Sequence, residues 1–180
     1  LYMKHYASCP QIVIDGNASW EEPTLLASAM IHTDPIALCQ ELLSSLNDRE
    51  HDQQWIDAWL QAEQLTRQGL LSALQDFEPL FEGRIFTELA TLLPPQTTLY
   101  VGNSMPVRDL DTFFWQSASP LHIMGNRGAN GIDGMISSAL GASTANKEGP
   151  TVLVIGDLSF FHDLNGLLAA RLHQLDLTII

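Results

Sequence analysis

The spacing of hydrophobic and polar positions divides the chain, and in its second half short apolar runs alternate with helical patterns. Residues 151–155 form an apolar, β-branched run without alternation, which predicts a strand buried on both faces of a parallel sheet. Further strands are predicted at 97–101, 121–124 and 176–180, and helices at 83–93, 107–114, 132–146 and 161–173. Strands that alternate with helices predict an α/β fold with a doubly wound parallel sheet.

The beginning of the chain has a different pattern, which predicts the end of a separate α/β domain. A short strand is predicted at 11–16 and a second extended run at 24–31. Pro35 then occupies a favoured first helical position, and Asp34 is suited to cap that helix.

A polar stretch at 47–52 is the best candidate for a domain boundary. A long helix is predicted after it, and its Trp55 and Trp59 are spaced to share one buried stripe. We interpret the two tryptophans as packing residues between domains rather than as a ligand platform. The predicted division is the end of a first domain at 1–46, a linker helix at 47–77 and the start of a second domain at 78–180.

Three glycine-rich loops follow three of the predicted strands. They occupy residues 102–109, 125–134 and 156–165. Because the carboxyl ends of parallel strands meet at one edge of a sheet, and ligands of such sheets bind there, these loops are expected to share one cleft. Ser104, Arg108, Arg127 and Asp157 would then converge.

Asp157 follows its strand directly and precedes a helical segment. Free N–H groups at a helix start suit phosphate oxygens, and a carboxylate supplies oxygen to Mg²⁺ or a similar hard cation. We therefore predict a metal ligand in a diphosphate site. The alternative is that Asp157 only caps the helix, since aspartate is a favoured N-cap residue.

Arg108 and Arg127 are candidates for gripping substrate carboxylates, because the planar guanidinium donates two parallel hydrogen bonds. The alternative is that they form surface ion pairs, Arg108 with Asp109 or Asp111 and Arg127 with Asp133, which contribute little. The loops contain neither a Walker A lysine nor a GxGxxG pattern, which disfavours an ATP or nicotinamide site.

Three of the residues that follow Asp157 could be interpreted as catalytic, but the sequence around them does not favour that role. Ser159 lacks the GxSxG surroundings of a nucleophile, so its hydroxyl is expected to cap the helix or contact phosphate. His162 and Asp163 resemble a catalytic pair, but we interpret them as residues of the first helical turn, where the helix dipole favours Asp163.

Composition narrows the function classes. Eight basic residues against 21 acidic ones give a formal net charge of −13, which disfavours nucleic acid and anionic lipid as partners. No apolar run is long enough to cross a membrane. Cys9 and Cys39 have no disulfide or metal-site spacing, which predicts reduced thiols in a cytoplasmic protein. The first residue is not methionine and the last predicted strand stops in mid-run, so we expect a fragment of a longer polypeptide.

With these loops in place, the chain resembles the thiamine diphosphate enzymes of the decarboxylase and acetolactate synthase type. Gly156-Asp157-Leu158-Ser159 is similar to the start of their metal-diphosphate motif. The three loops together are most similar to the branch of this family that serves menaquinone biosynthesis. The resemblance is strong over residues 78–180, as the start of a pyrophosphate-binding domain, and looser over 1–46, as the C-terminal part of a central domain.

This resemblance implies a thiamine diphosphate-dependent carboligase that also needs Mg²⁺ or Mn²⁺. It would join the succinyl semialdehyde unit derived from 2-oxoglutarate to isochorismate, with release of CO₂. The cofactor would be the electron sink and the protein would supply orientation and charge. The alternatives are another thiamine diphosphate 2-oxoacid decarboxylase or acetolactate synthase-like enzyme, or a non-catalytic α/β module.

The resemblance also implies roles for individual residues. Asp157 would ligate the metal, and Gly156, Leu158 and Ser159 would lie close to the diphosphate. Ile132 would be the catalytic apolar residue wedged under the cofactor, keeping its two rings bent toward each other. Substrate carboxylates would be held by three side chains: Ser104, Arg108 and Arg127.

Parts of the family's site are expected outside these 180 residues. A second metal ligand, an asparagine, is expected just beyond Ile180, and the glutamate that activates the cofactor belongs to an N-terminal domain of the partner subunit. Glu21, Glu22 and Glu88 do not replace that glutamate. The resemblance therefore implies a homodimer, or a dimer of dimers, for the full-length protein and an inactive 180-residue fragment.

Overall fold

The computed structural model describes residues 2–17, 19, 22–46, 52–77, 81–115, 119–129 and 131–180. They fall into two compact units, Leu1–Glu63 and Gln64–Ile180. The predicted boundary at 47–52 lies outside the described residues except for Asp52. Helix α3, Gln53–Asp76, runs across the division between the units. The predicted domain limits stay a prediction.

The first unit contains a small parallel sheet. Its elements before α3 are α1 (Tyr2–His5), β1 (Ile12–Ile14), β2 (Ala29–Ile31) and α2 (Pro35–Leu46). Strands β1 and β2 pair in parallel, with Ile12 opposite Ala29. The extended run predicted at 24–31 is paired only over its last three residues. The Glu22 carboxylate accepts the N–H groups of Thr24 and Leu26, which turns the chain before the strand.

Helix α2 begins as predicted. Asp34 Oδ1 accepts hydrogen bonds from the N–H groups of Ile36 at 2.8 Å and Ala37 at 2.9 Å, so its carboxylate satisfies two of the helix's unpaired donors. Among the described residues, the stripe predicted for α3 is largely uncovered, and its packing between domains stays a prediction. Trp55 and Trp59 contact each other edge to face, and they are 62% and 63% exposed. Helical spacing identifies residues that share a face, but it does not show whether another element covers that face.

The second unit is the predicted doubly wound α/β fold. After α3, its elements are α4 (Gly83–Leu92), β3 (Thr98–Val101), α5 (Met105–Phe113), β4 (His122–Met124), α6 (Met135–Ala145), β5 (Thr151–Val154), α7 (Asp157–His162), α8 (Leu167–His173) and β6 (Thr178–Ile179). The sheet order is β4-β3-β5-β6, and every neighbouring pair is parallel. The four strands were all predicted, each slightly too long.

The core covers both faces of the central strands. Leu99 and Val101 of β3 pack on one face with side chains of α4 and α5, whereas Tyr100 faces the opposite side with Ile136 and Leu140 of α6. Strand β5 divides its side chains in the same way. Successive strand residues point to opposite faces, so a run without polar alternation fills two hydrophobic layers.

The helix after β5 differs from the prediction. It begins at Asp157 instead of 161, and it is interrupted between α7 and α8 by a short 3₁₀ turn at Leu164–Gly166. Asp163, just after α7, accepts hydrogen bonds from the backbone N–H of Ser137 at 2.8 Å and from its hydroxyl at 3.2 Å. His162 and Asp163 therefore end a helix, and the predicted place in a first turn is wrong.

Helix α6 also starts later than the predicted residue 132. Gly134 precedes it with φ of 63°, a left-handed conformation that glycine adopts without steric cost. The Asp163 carboxylate caps this helix start from a distance in sequence. Among the helices of the described residues, we find none with the length and apolar character needed to span a membrane.

Candidate functional site

A cleft lies where the connections of the central strands diverge. From β3 the chain crosses toward one edge of the sheet to form β4, and from β5 it crosses toward the opposite edge to form β6. Strands β3 and β5 therefore flank a topological switch point. Ligands of open α/β sheets bind in the crevice at such a point, outside the carboxyl ends of the strands. The cleft has a volume of about 430 Å³. Six of the eight predicted site residues line it: Ser104, Ile132, Gly156, Asp157, Leu158 and Ser159.

Asp157 is the first residue of α7, and Gly156 holds the N-cap position with extended backbone angles. The carboxylate of Asp157 accepts the N–H of Leu158 at 2.8 Å through Oδ1. Its Oδ2 has no hydrogen-bond partner among the described residues. The interpretation of Asp157 as an N-cap residue is therefore wrong in position, and the remaining oxygen is available to a ligand.

The donors at this point suit a cation that brings its own anionic ligand. In the described part of the chain, no group of three or more His, Cys, Asp or Glu side chains is arranged to hold a metal. Mg²⁺ commonly uses one or two protein carboxylates and completes its octahedron with phosphate oxygens and water. One carboxylate at a helix start thus fits a metal-diphosphate group, and it does not fit an all-protein metal cage.

Ser104 has the most unusual backbone in the cleft. Its φ of 72° and ψ of −124° lie in a region that non-glycine residues rarely adopt, and its side chain makes no capping bond to α5. Such conformations cost on the order of 1–3 kcal/mol and cluster at functional sites. The strained turn ends β3 and begins α5, and it holds Ser104 at the cleft wall.

The two predicted substrate arginines do not line the cleft itself. Arg127 Nη1 donates to Asn103 Oδ1 at 2.6 Å, while Asp133 lies 3.5 Å from His162. The alternative pairing of Arg127 with Asp133 is therefore wrong. Asn103 is a lining residue, so the exposed Arg127 is hydrogen-bonded to the cleft wall without lining the cleft.

Arg108 is an exposed residue of α5, one helical turn after Ser104. The described structure contains no ion pair between Arg108 and either Asp109 or Asp111. The ion-pair alternative is therefore wrong for Arg108 as well. Arg108 is thus separated from Ser104 by the first turn of α5 and is exposed.

Ile132 and Ser159 connect the second and third loops. The Ile132 side chain is 39% exposed at the cleft. The buried hydroxyl of Ser159 lies 3.4 Å from the carbonyl oxygen of Ile132, to which it donates a long hydrogen bond. This contact gives the buried Ser159 hydroxyl a hydrogen-bond partner. Leu158 and Gly156 also lie at the cleft, and the proposed ligand roles of all these residues stay predictions.

Asp109 is a cleft residue that sequence reasoning missed. It is 6% exposed, and it has no hydrogen-bond partner among the described residues. Burial, and then the negative charge of Glu82, raise the pKa of its carboxyl above the usual value. Its position beside Arg108 had indicated a surface ion pair, and no feature of the sequence distinguishes it from exposed Asp111.

The polar network around β3 was also missed. The Tyr100 hydroxyl donates to Asn126 Oδ1, and the Asn126 amide lies 3.4 Å from the Ser138 hydroxyl. Asn103 binds the same loop from the other side. Asn103 and Asn126 lie within the predicted loops at 102–109 and 125–134, but only the folded structure shows which partners they reach.

Comparison with known proteins agrees with this geometry. Residues 105–180 match the family described as thiamine pyrophosphate enzyme, C-terminal TPP binding domain. The whole chain is 49% identical to the 2-succinyl-5-enolpyruvyl-6-hydroxy-3-cyclohexene-1-carboxylate synthase of Geobacillus thermodenitrificans and spans 30% of it. It is 50% identical over 182 aligned residues to the synthase of the same name from Chloroflexus aurantiacus, of which it spans 31%. A synthase of that name from Bacillus pumilus is 43% identical over 99% of the chain.

The matches confirm the resemblance read from the three loops. The chain spans about 30% of the length of these curated relatives, so their remaining sequence has no counterpart in the 180 residues. The domain match begins at Met105 and includes the loops that carry Ile132 and Asp157. The chain is therefore similar along its whole length to the 2-succinyl-5-enolpyruvyl-6-hydroxy-3-cyclohexene-1-carboxylate synthases, and residues 105–180 match the thiamine pyrophosphate-binding domain family.

Proposed function

We propose that the intact protein is a thiamine diphosphate-dependent carboligase that joins the succinyl semialdehyde unit of 2-oxoglutarate to isochorismate and releases CO₂. The observation that carries this proposal is the convergence of three loops on the cleft at the switch point. Relatives bearing the synthase name match the whole chain, which favours this reaction over the decarboxylase and non-catalytic alternatives.

The third loop would bind the diphosphate and its cation. Asp157 would give the uncoordinated carboxylate oxygen to Mg²⁺ or Mn²⁺, and the N–H groups around Gly156, Leu158 and Ser159 would face phosphate oxygens. When bound, thiamine diphosphate supplies the electron sink that makes decarboxylation possible. Ile132 would support the rings of the cofactor with the apolar surface it exposes at the cleft.

The first and second loops would bind substrate carboxylates. Arg127 is hydrogen-bonded to the lining residue Asn103, Ser104 is held at the cleft by a strained turn, and Arg108 lies in the first turn of α5. Guanidinium groups bind carboxylates with two parallel hydrogen bonds, so two arginines match substrates that are dicarboxylic acids. Together, Ser104, Arg108 and Arg127 would therefore favour acidic substrates.

The setting of the reaction is part of the same proposal. We propose a homodimer, or a dimer of dimers, because the resemblance places the activating glutamate in the partner subunit. A cytoplasmic location would fit two free cysteines. The net charge of −13 supports small-molecule substrates over nucleic acid, because it repels other anions except where arginines are placed locally.

The test is turnover by the full-length protein with thiamine diphosphate and Mg²⁺. We expect CO₂ release from 2-oxoglutarate and formation of a condensed product, and we expect both only when isochorismate is present. Arg127→Ala should raise the KM of a dicarboxylic substrate on the order of tenfold, since a charge-assisted hydrogen bond contributes roughly 1.5–3 kcal/mol. Arg171→Ala, which removes an exposed arginine of α8, is the matched control and should leave KM unchanged.

Two results would contradict the proposal. Decarboxylation of simple 2-oxoacids without any acceptor would favour the decarboxylase alternative. A wild-type protein that neither binds the cofactor nor forms product would favour the non-catalytic module.

A further inference from the structure

Asn103 is a buried amide at the junction of the first two loops, directly after Gly102 at the end of β3. It is 7% exposed and lines the cleft. Its Nδ2 donates to the carbonyl oxygens of Asn126 at 3.1 Å and Gly131 at 2.7 Å. Its Oδ1 accepts from Arg127 Nη1 at 2.6 Å. One side chain thus contacts both ends of the loop that separates β4 from α6.

These three bonds define the orientation of the amide. A guanidinium has no acceptor and a carbonyl oxygen has no donor. Rotating the amide by 180° would place Nδ2 against Arg127 and Oδ1 against two carbonyl oxygens, and all three bonds would be lost. This position therefore requires both the Nδ2 donor and the Oδ1 acceptor of asparagine, and neither aspartate nor leucine supplies both.

One partner of Asn103 precedes a predicted ligand contact in the chain, and another partner is itself a predicted ligand contact. Gly131 immediately precedes Ile132, whose own carbonyl oxygen is contacted by the Ser159 hydroxyl from the other side. Arg127 is the candidate for a substrate carboxylate. We propose that Asn103 is a positioning residue that sets Arg127 for substrate and the Gly131–Ile132 backbone for cofactor at the same time. This inference rests on the proposed function, because it takes Arg127 and Ile132 as ligand contacts.

Asn146 provides a matched control within the same unit. Its Nδ2 donates to the carbonyl oxygen of Gln96 and to the Thr98 hydroxyl, both at 2.8 Å, and its Oδ1 accepts the N–H of Glu148 at 3.0 Å. It therefore makes the same number of bonds as Asn103, but at the opposite end of β3. Replacement of Asn146 removes equivalent bonds without touching the cleft.

The experiment compares Asn103→Leu, Asn146→Leu, Arg127→Ala and the double variant Asn103→Leu/Arg127→Ala in the full-length protein. Cofactor affinity is measured by calorimetric titration with thiamine diphosphate and Mg²⁺, and KM is measured for both substrates. We expect Asn103→Leu to weaken cofactor binding and to raise the KM of the substrate that Arg127 serves, each on the order of tenfold, as for a lost charged or paired hydrogen bond.

In the double variant, Asn103→Leu should still weaken cofactor binding but should raise KM no further than Arg127→Ala alone, because it acts on that substrate through Arg127. Asn146→Leu should lower the melting temperature and leave cofactor affinity and both KM values at wild-type levels. If Asn103→Leu does not fold, Asn103→Asp replaces it for cofactor binding. That variant keeps the side-chain size and an oxygen for Arg127 but loses the donor to Gly131.

The inference is overturned if the Asn103 variants behave like Asn146→Leu, with lower stability and wild-type ligand binding. It is also overturned if the KM effects of Asn103→Leu and Arg127→Ala multiply in the double variant. Failure of the proposed function looks different, because the wild-type protein itself would then neither bind thiamine diphosphate nor turn over.

Discussion

At the scale of single residues, Asp109 carries an electrostatic cost at the cleft. The residue is 6% exposed, its carboxyl has no hydrogen-bond partner among the described residues, and the negative charge of Glu82 lies near it. Burial without a partner disfavours the ionised form, which is why the pKa of Asp109 is raised. The folded protein therefore holds the proton of this group more tightly than the unfolded chain does.

The raised pKa predicts a stability that depends on pH. The contribution of Asp109 is fully present below the usual aspartate pKa of about 3.9 and is lost as pH rises through the higher pKa of the folded state. Asp109→Asn keeps a neutral side chain of similar shape at every pH. We expect this variant of the 180-residue chain to melt at a higher temperature than wild type at about pH 8, with the difference shrinking toward about pH 4.

Asp111→Asn is the control for this prediction, because Asp111 is exposed on the same helix. It should melt at the wild-type temperature at both pH values. A gain for Asp109→Asn that is the same at both pH values, or a lower melting temperature at the higher pH, would show that the ionised carboxyl is not destabilising.

At the scale of elements, several close contacts depend on glycine. A Cβ atom on Gly149 would lie 2.3 Å from the carbonyl oxygen of Gln96 and 2.9 Å from the Thr97 nitrogen, because the entries into β3 and β5 touch there. The interior of α6 is different. A Cβ on Gly141 would meet nothing within 4 Å, and helical backbone suits alanine better than glycine.

The same substitution is therefore predicted to have opposite effects at the two glycines. Gly149→Ala should lower the free energy of unfolding by about 1–3 kcal/mol, as overpacking against backbone does. Gly141→Ala should raise it by about 0.5–1 kcal/mol through helix propensity. Urea unfolding of the 180-residue chain measures both, and equal shifts in one direction would contradict the packing argument.

Elements defined by local pattern could be predicted from the sequence, and elements defined by distant contacts could not. The start of α2 follows from Asp34 and Pro35, which act within a few residues. The break between α7 and α8 depends on Asp163 reaching Ser137, 26 residues earlier in the chain. Periodicity predicted one helix there because both halves are apolar and helical, and only the folded arrangement gives Asp163 its partner.

The same distinction applies to the site. Ser104 and Asp157 were predicted as cleft residues because strand ends share an edge in a parallel sheet, whereas Ile132 was expected there from the family resemblance. Arg127 was predicted for the same edge, but its hydrogen bond to Asn103 is visible only in the folded chain. The sequence did not indicate a functional role for Asp109 or Asn103. The burial of Asp109 and the several hydrogen-bond partners of Asn103 are properties of the folded chain.

At the scale of the whole molecule, the sheet topology organises the candidate chemistry. The crossovers from β3 and β5 run in opposite directions and open one crevice, and each of the three loops contributes residues to its lining. The chain accounts for about 30% of the length of its curated relatives. We propose that this crevice binds thiamine diphosphate through a cation held by Asp157.

Calorimetric titration of thiamine diphosphate with Mg²⁺ into the full-length protein tests this claim most directly. We predict saturable binding to the wild-type protein and to Asp111→Ala, which removes a carboxylate that does not line the cleft. Binding should be lost in Asp157→Ala, since the cation would lose its carboxylate ligand from this chain. Binding to Asp157→Ala with wild-type affinity would contradict the assignment of Asp157, and failure of the wild-type protein to bind would contradict the cofactor site as a whole.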